Sequence, residues 1–98
     1  MWREDWWNAA ENGKVAVVRT FIEVGGEGLD EKAGDGYTAL IYVAFYGHLE
    51  VVTVLVQAGA GVDVAENCGW TPLHIAAMQG HLEVRKYLVE DGKSASVN

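Results

Sequence analysis

Three histidines, one cysteine and one glycine-rich tetrapeptide are the first residues of this 98-residue chain to test for chemistry. His48, His74, His81 and Cys68 are of types that ligate transition metals. A structural zinc site takes four such ligands at short paired spacings, and Cys68-x5-His74-x6-His81 follows none of them. Cys68 and His74 would be a nucleophile and its base only in a sheltered site with oxyanion donors, and a cysteine beside Gly69 in a loop lacks that setting. Gly25-Gly26-Glu27-Gly28 has the glycines of a phosphate cradle. No Lys-Ser/Thr pair follows it and no strand precedes it, so it is not a phosphate loop. The sequence predicts no catalytic residue, no metal ligand and no cofactor, and hence no enzyme.

Composition sets the class. Half of the residues are hydrophobic and 21% are charged, which is ordinary material for one small globular domain spanning residues 1–98. Seven basic residues against fourteen acidic ones leave a charge of −7, which disfavours nucleic acid and anionic membranes as partners. A lone cysteine forms no internal disulfide, so a reduced, intracellular setting (cytoplasmic or nuclear) is expected. No apolar run approaches the length of a spanning helix, and the MWREDWW start does not read as a signal peptide.

The elements that position any site come from an internal repeat. Shifted by 33 residues, 36–64 falls on 69–97 with thirteen identities in 29 positions. Gly36, Thr38 and Leu40 lie on Gly69, Thr71 and Leu73. Gly47–Val51 lies on Gly80–Val84, both reading GHLEV. A weaker upstream copy at an offset of 34 sets Ala10, Gly13 and Val17 on Ala44, Gly47 and Val51. The units run about 2–34, 35–67 and 68–98. The extra residue falls in Gly25–Gly28, expected to be the most mobile internal segment because glycine leaves the backbone unrestrained.

Within each unit, Thr38 and Thr71 are N-caps, and Pro72 occupies the first helical position. Leu40, Val43 and Ala44 share one face, as do Leu73, Ala76 and Ala77. Gly47 and Gly80 end the first helices as left-handed residues. A second helix follows, with an apolar stripe of Val51, Val52, Leu55 and Val56, then Val84, Leu88 and Val89. Gly59 and Gly92 close these helices. The predicted helices are 2–12, 14–24, 39–46, 49–58, 72–79 and 82–90. Such short helices cannot bury their faces alone, so the fold is expected to be an all-α solenoid of stacked pairs. Ala44 and Ala77 are both expected at tight contacts between units.

Gly69-Trp70-Thr71-Pro72-Leu73-His74-Ile75-Ala76-Ala77 followed by Gly80-His81-Leu82-Glu83-Val84 resembles the ankyrin repeat, and the period of 33 agrees. The resemblance implies helix–loop–helix units joined by β-turn or hairpin fingers, and a non-catalytic scaffold that binds other proteins through finger tips and the concave face of the first helices. It implies that the histidine of the TPLH motif hydrogen-bonds locally. The middle unit departs from the pattern, with Thr38-Ala39-Leu40-Ile41 in place of TPLH. The first unit lacks a finger and reads as an N-terminal cap. Arg85-Lys86 replace Val52-Thr53 and give the last unit a polar outer face.

On that frame the candidate partner-binding residues are Asp35, Tyr37, Phe45, Tyr46, Asn67, Trp70, Met78 and Gln79. Tyr37 and Trp70 follow the two finger glycines, and Phe45-Tyr46 and Met78-Gln79 end the first helices. Asp35, Glu66 and Asn67 form an acidic, polar rim suited to a protein partner carrying basic groups. Tyr and Trp dominate interface hot spots, which is why a partner surface is favoured over folded-back packing for Tyr37, Tyr46 and Trp70. For Phe45 and Met78 both readings stay open. Trp6 aligns with Leu40 and Leu73 and is expected in the core, with Trp2 as a lid, and the role of Trp7 is open. A monomer is expected over a homo-oligomer. The alternative is a self-associating structural module, a natural fragment or an engineered repeat protein, that stacks through the apolar strip or the uncapped last unit.

Overall fold

The computed structural model describes residues 2–24 and 28–90, with side chains from Trp6 onward. The chain order is α1 (Trp2–Glu11), α2 (Val15–Val24), α3 (Ala39–Tyr46), α4 (Leu49–Gln57), α5 (Pro72–Met78) and α6 (Leu82–Glu90). Each helix lies within a residue of the range its spacing predicts, and no strand occurs among the described residues. Among the described residues no helix is long and apolar enough to cross a membrane.

The starts and stops are made by the residues that the pattern marks. Thr38 is extended, and its hydroxyl accepts from the Ile41 N–H at 3.2 Å. Thr71 and His74 form a reciprocal capping box, with Thr71 Oγ1 2.8 Å from His74 Nδ1. Gly47 takes φ 78°, the left-handed turn that ends α3, and its N–H donates to Val43 at 2.8 Å.

First helices stack on first helices, α1 on α3 on α5, and second helices form a parallel layer, α2 on α4 on α6. One core fills the space between the layers. Leu40, Ile41, Val43 and Ala44 from α3 are buried against Val51, Val52 and Leu55 from α4. Full burial of a side chain such as Leu55 contributes roughly 1.5–3 kcal/mol, so the stacked array stabilises helices too short to persist alone. Trp6 is buried, as its alignment predicts, and its ring meets Phe21 edge-on at 5.8 Å. Arg85 and Lys86 are exposed.

The structure corrects one buried position. Ala44 is 0% exposed because α5 packs over it, whereas Ala77, its counterpart one unit later, is exposed. No described element stacks on the far side of α5, so the same residue in the same register meets solvent. Val17 is 41% exposed where its counterpart Val51 is 0%, for the equivalent reason at the first unit. The expectation for Gly25–Gly28 falls on positions 25–27, outside the described residues. The closing Gly92 and the Trp2 side chain also lie outside them.

Candidate partner-binding surface

Two finger turns and the ends of α3 and α5 carry the candidate residues. In the first finger the Gly36 N–H donates to Ala33 at 2.9 Å and the Ala33 N–H donates to Tyr37 at 2.8 Å. Gly36 sits at φ 87°, the left-handed position such a turn requires. The second finger repeats this, Gly69 to Glu66 and Glu66 to Trp70, both at 2.9 Å, with Gly69 at φ 92°. These are tight β-turns, and the longer strand ladder of a hairpin does not form. Each turn is tied by an acid. Asp35 Oδ1 accepts from the Tyr37 N–H at 3.0 Å, and Glu66 Oε1 accepts from Cys68 and Trp70 at 2.7 and 3.0 Å.

The predicted strip divides into two kinds of residue. Tyr46, Trp70 and Met78 are exposed by 46, 42 and 53%. Gln79 is exposed beside Met78. Tyr37 and Phe45 are half-buried against the core, with ring centroids 6.4 Å apart, and Phe45 meets Tyr46 at 4.9 Å. Asp35 and Asn67 are exposed at the finger tips, and the Asn67 side chain lies over Gly36, where a Cβ would meet it at 2.4 Å. Adjacent fingers therefore touch, and Asn67 has a packing role besides its place on the rim. Trp70 stands edge-on to His74 at 5.6 Å.

Tyr42 and Glu11 belong to this surface, and the sequence reading passes over both. The Tyr42 hydroxyl donates to Asp35, 2.8 Å from Oδ2 and 3.0 Å from Oδ1, and its ring lies 5.3 Å from Tyr37. Tyr46 donates to Glu11 Oε2 at 3.4 Å. The available signal was the i, i+3, i+4 spacing of Tyr42, Phe45 and Tyr46 on one helix face. Burial, then the hydrogen bond to Asp35 and the charges of Asp35 and Glu11, push the Tyr42 phenol well above its ordinary value. Burial, then the charges of Glu66 and Asp35, raise Tyr37.

The three histidines make hydrogen bonds within and between units. His48 Nε2 lies 2.8 Å from the Glu11 carbonyl oxygen and His81 Nε2 2.8 Å from that of Phe45, each ring bridging to the preceding unit. His74 closes the α5 cap, which fulfils the local role that the resemblance implies. Cys68 is an exposed free thiol. Trp7, whose role was open, ties α1 to the loop below it, donating to the Glu31 carbonyl at 3.3 Å.

A family model described as ankyrin repeats, in three copies, matches residues 6–98. No curated protein matches the chain.

Proposed function

The chain belongs to the ankyrin-repeat family, and from that premise we propose that it is a non-catalytic module binding a partner protein through its first helices and finger tips. Ankyrin repeats are generally protein–protein interaction modules. The observation that supports the reading is that Tyr46, Trp70 and Met78, on the first helices and the second finger, are each exposed, with Tyr37 and Phe45 half-buried against the core. Large amphipathic side chains held on a rigid stack lose little freedom on binding. Asp35, Asn67 and Gln79 supply the polar rim, and the acidic charge favours a partner with basic groups and speeds its encounter. A reduced intracellular compartment suits the free Cys68. The test is capture of a partner by the wild-type chain, with Tyr46→Ala and Trp70→Ala as controls. Capture that both variants retain in full would refute the assignment.

One observation favours the second reading, self-association. Leu82 is 67% exposed and Met78 53%, both at the open side of the third unit. Light scattering over a concentration series separates the two, since the partner-binding reading expects a constant monomer mass.

A further inference from the structure

We infer that the partner presents an arginine-bearing segment to the tyrosine patch between Glu11, Asp35 and Glu66. This deepens the protein-binding reading and rests on it. The floor of the patch is aromatic: Tyr42, Tyr37, Phe45 and Tyr46 form a chain of ring contacts, each with the next, at 4.9–6.4 Å. Its margin carries three carboxylates from three successive stretches of the stack. Glu11 ends α1, Asp35 holds the first finger and Glu66 the second.

These carboxylates surround one patch. Tyr46 donates to Glu11, Tyr42 donates to Asp35, the charges of Glu11 and Asp35 both bear on Tyr42, and those of Asp35 and Glu66 both bear on Tyr37. No lysine or arginine pairs with any of the three among the described residues. Their hydrogen bonds come from neutral donors, so three negative charges stand uncompensated around π-faces. A guanidinium is the side chain that satisfies both halves of such a site. It stacks on an aromatic face and donates in a planar fork to a carboxylate. The protein-binding reading makes a polypeptide the source of the cation, and the chain's charge of −7 disfavours phosphate-bearing ligands.

The test uses an acetylated, amidated peptide repeating Arg-Gly-Ser, titrated into the full chain by heteronuclear NMR, with its citrulline counterpart as the neutral control. The expected result is shift changes centred on Tyr37, Tyr42 and Tyr46, with affinity at least about tenfold weaker for citrulline. The Glu11→Gln/Asp35→Asn/Glu66→Gln variant keeps one acceptor oxygen at each position, replaces the other with an amide NH2 and removes the charge, and should lose about tenfold. Glu50→Gln/Glu83→Gln/Glu90→Gln removes the same charge from the second-helix layer and should lose much less. Equal losses in the two variants would reduce the effect to net charge and overturn the inference, as would equal binding of citrulline or no binding of the arginine peptide. The citrulline comparison needs no variant and stands even if a substitution unfolds the chain. A partner that depends on Tyr46 and Trp70 but ignores the neutralised carboxylates would leave the aromatic strip standing and remove the basic segment. Indifference to both sets would remove both.

Discussion

His81 covers the glycine that ends the preceding unit's first helix: a Cβ on Gly47 would lie 2.6 Å from His81 Nδ1, while His81 Nε2 lies 2.8 Å from the Phe45 carbonyl oxygen. His48 repeats the arrangement one unit earlier on Gly13 and Glu11. The glycine thus serves twice, supplying a left-handed turn and leaving room for the next unit's imidazole. Gly80 has the same φ of 78° with nothing within 4 Å of its absent Cβ.

That pair of glycines separates strain from packing. Gly80→Ala should cost about 1–2 kcal/mol, the cost of a left-handed conformation for an L-residue. Gly47→Ala should cost clearly more, because His81 must also move. Adding His81→Ala should shrink the difference between them. Denaturant unfolding of the four variants checks this, and equal losses for the two glycines would show that the imidazole contact carries no energy.

The two alanines make a second contrast. Ala44→Leu should destabilise by roughly 1–3 kcal/mol, because α5 leaves it no space. Ala77→Leu, on an open face, should stay within about 0.5 kcal/mol of wild type. Leu55→Ala should cost roughly 2–5 kcal/mol, since Leu55 is fully buried. An equal loss at both alanines would mean that a further element covers α5 in solution.

These contrasts show where sequence stops being informative. The offset of 33 and the Thr and Gly positions set the helix limits almost to the residue, because caps and left-handed turns are local chemistry. Ala44 and Ala77 cannot be told apart that way, since their difference lies in whether another unit stacks on them. Tyr42 was missed because its partner Asp35 sits in a finger that folds back onto α3, a contact that helical spacing does not encode. The exposure of Tyr46 and Trp70 agrees with the reading from alignment, whereas the exposure of Met78, on which both readings stay open in the sequence, and the half-burial of Tyr37 and Phe45 depend on how neighbouring side chains and rings lean on one another.

Tyr42 predicts a pH dependence. Its phenol titrates above the ordinary value of about 10 in the folded chain, so the folded state holds the proton more tightly than the unfolded one. The stabilisation is complete below about pH 10 and is lost as pH rises through the folded value. Tyr42→Phe should cost about 1 kcal/mol at neutral pH through loss of the Asp35 hydrogen bond, and should flatten the alkaline decline. Unfolding midpoints across the alkaline range for both proteins measure it. Parallel declines would assign the alkaline loss to other groups.

The strip itself separates into residues that hold the fold and residues free to bind. Phe45 packs against the core and against both Tyr37 and Tyr46, so Phe45→Ala should lower stability by roughly 2 kcal/mol, less than the full cost of a wholly buried ring. Tyr46 and Trp70 are nearly half exposed, and their described ring and side-chain contacts are two edge contacts, a stacking of Tyr46 on His48 at 6.2 Å and a long hydrogen bond. Tyr46→Ala and Trp70→Ala should therefore shift stability by no more than about 0.5 kcal/mol. If they are the anchors of a partner surface, each should weaken a cognate partner by on the order of 2 kcal/mol, about thirtyfold. Phe45→Ala should weaken the partner mainly by reducing the folded fraction. Measuring unfolding and affinity on the same three variants distinguishes the roles. A sharp loss of stability in Tyr46→Ala and Trp70→Ala, with affinity per folded molecule unchanged, would make the strip part of the core and move the search for the partner to another face.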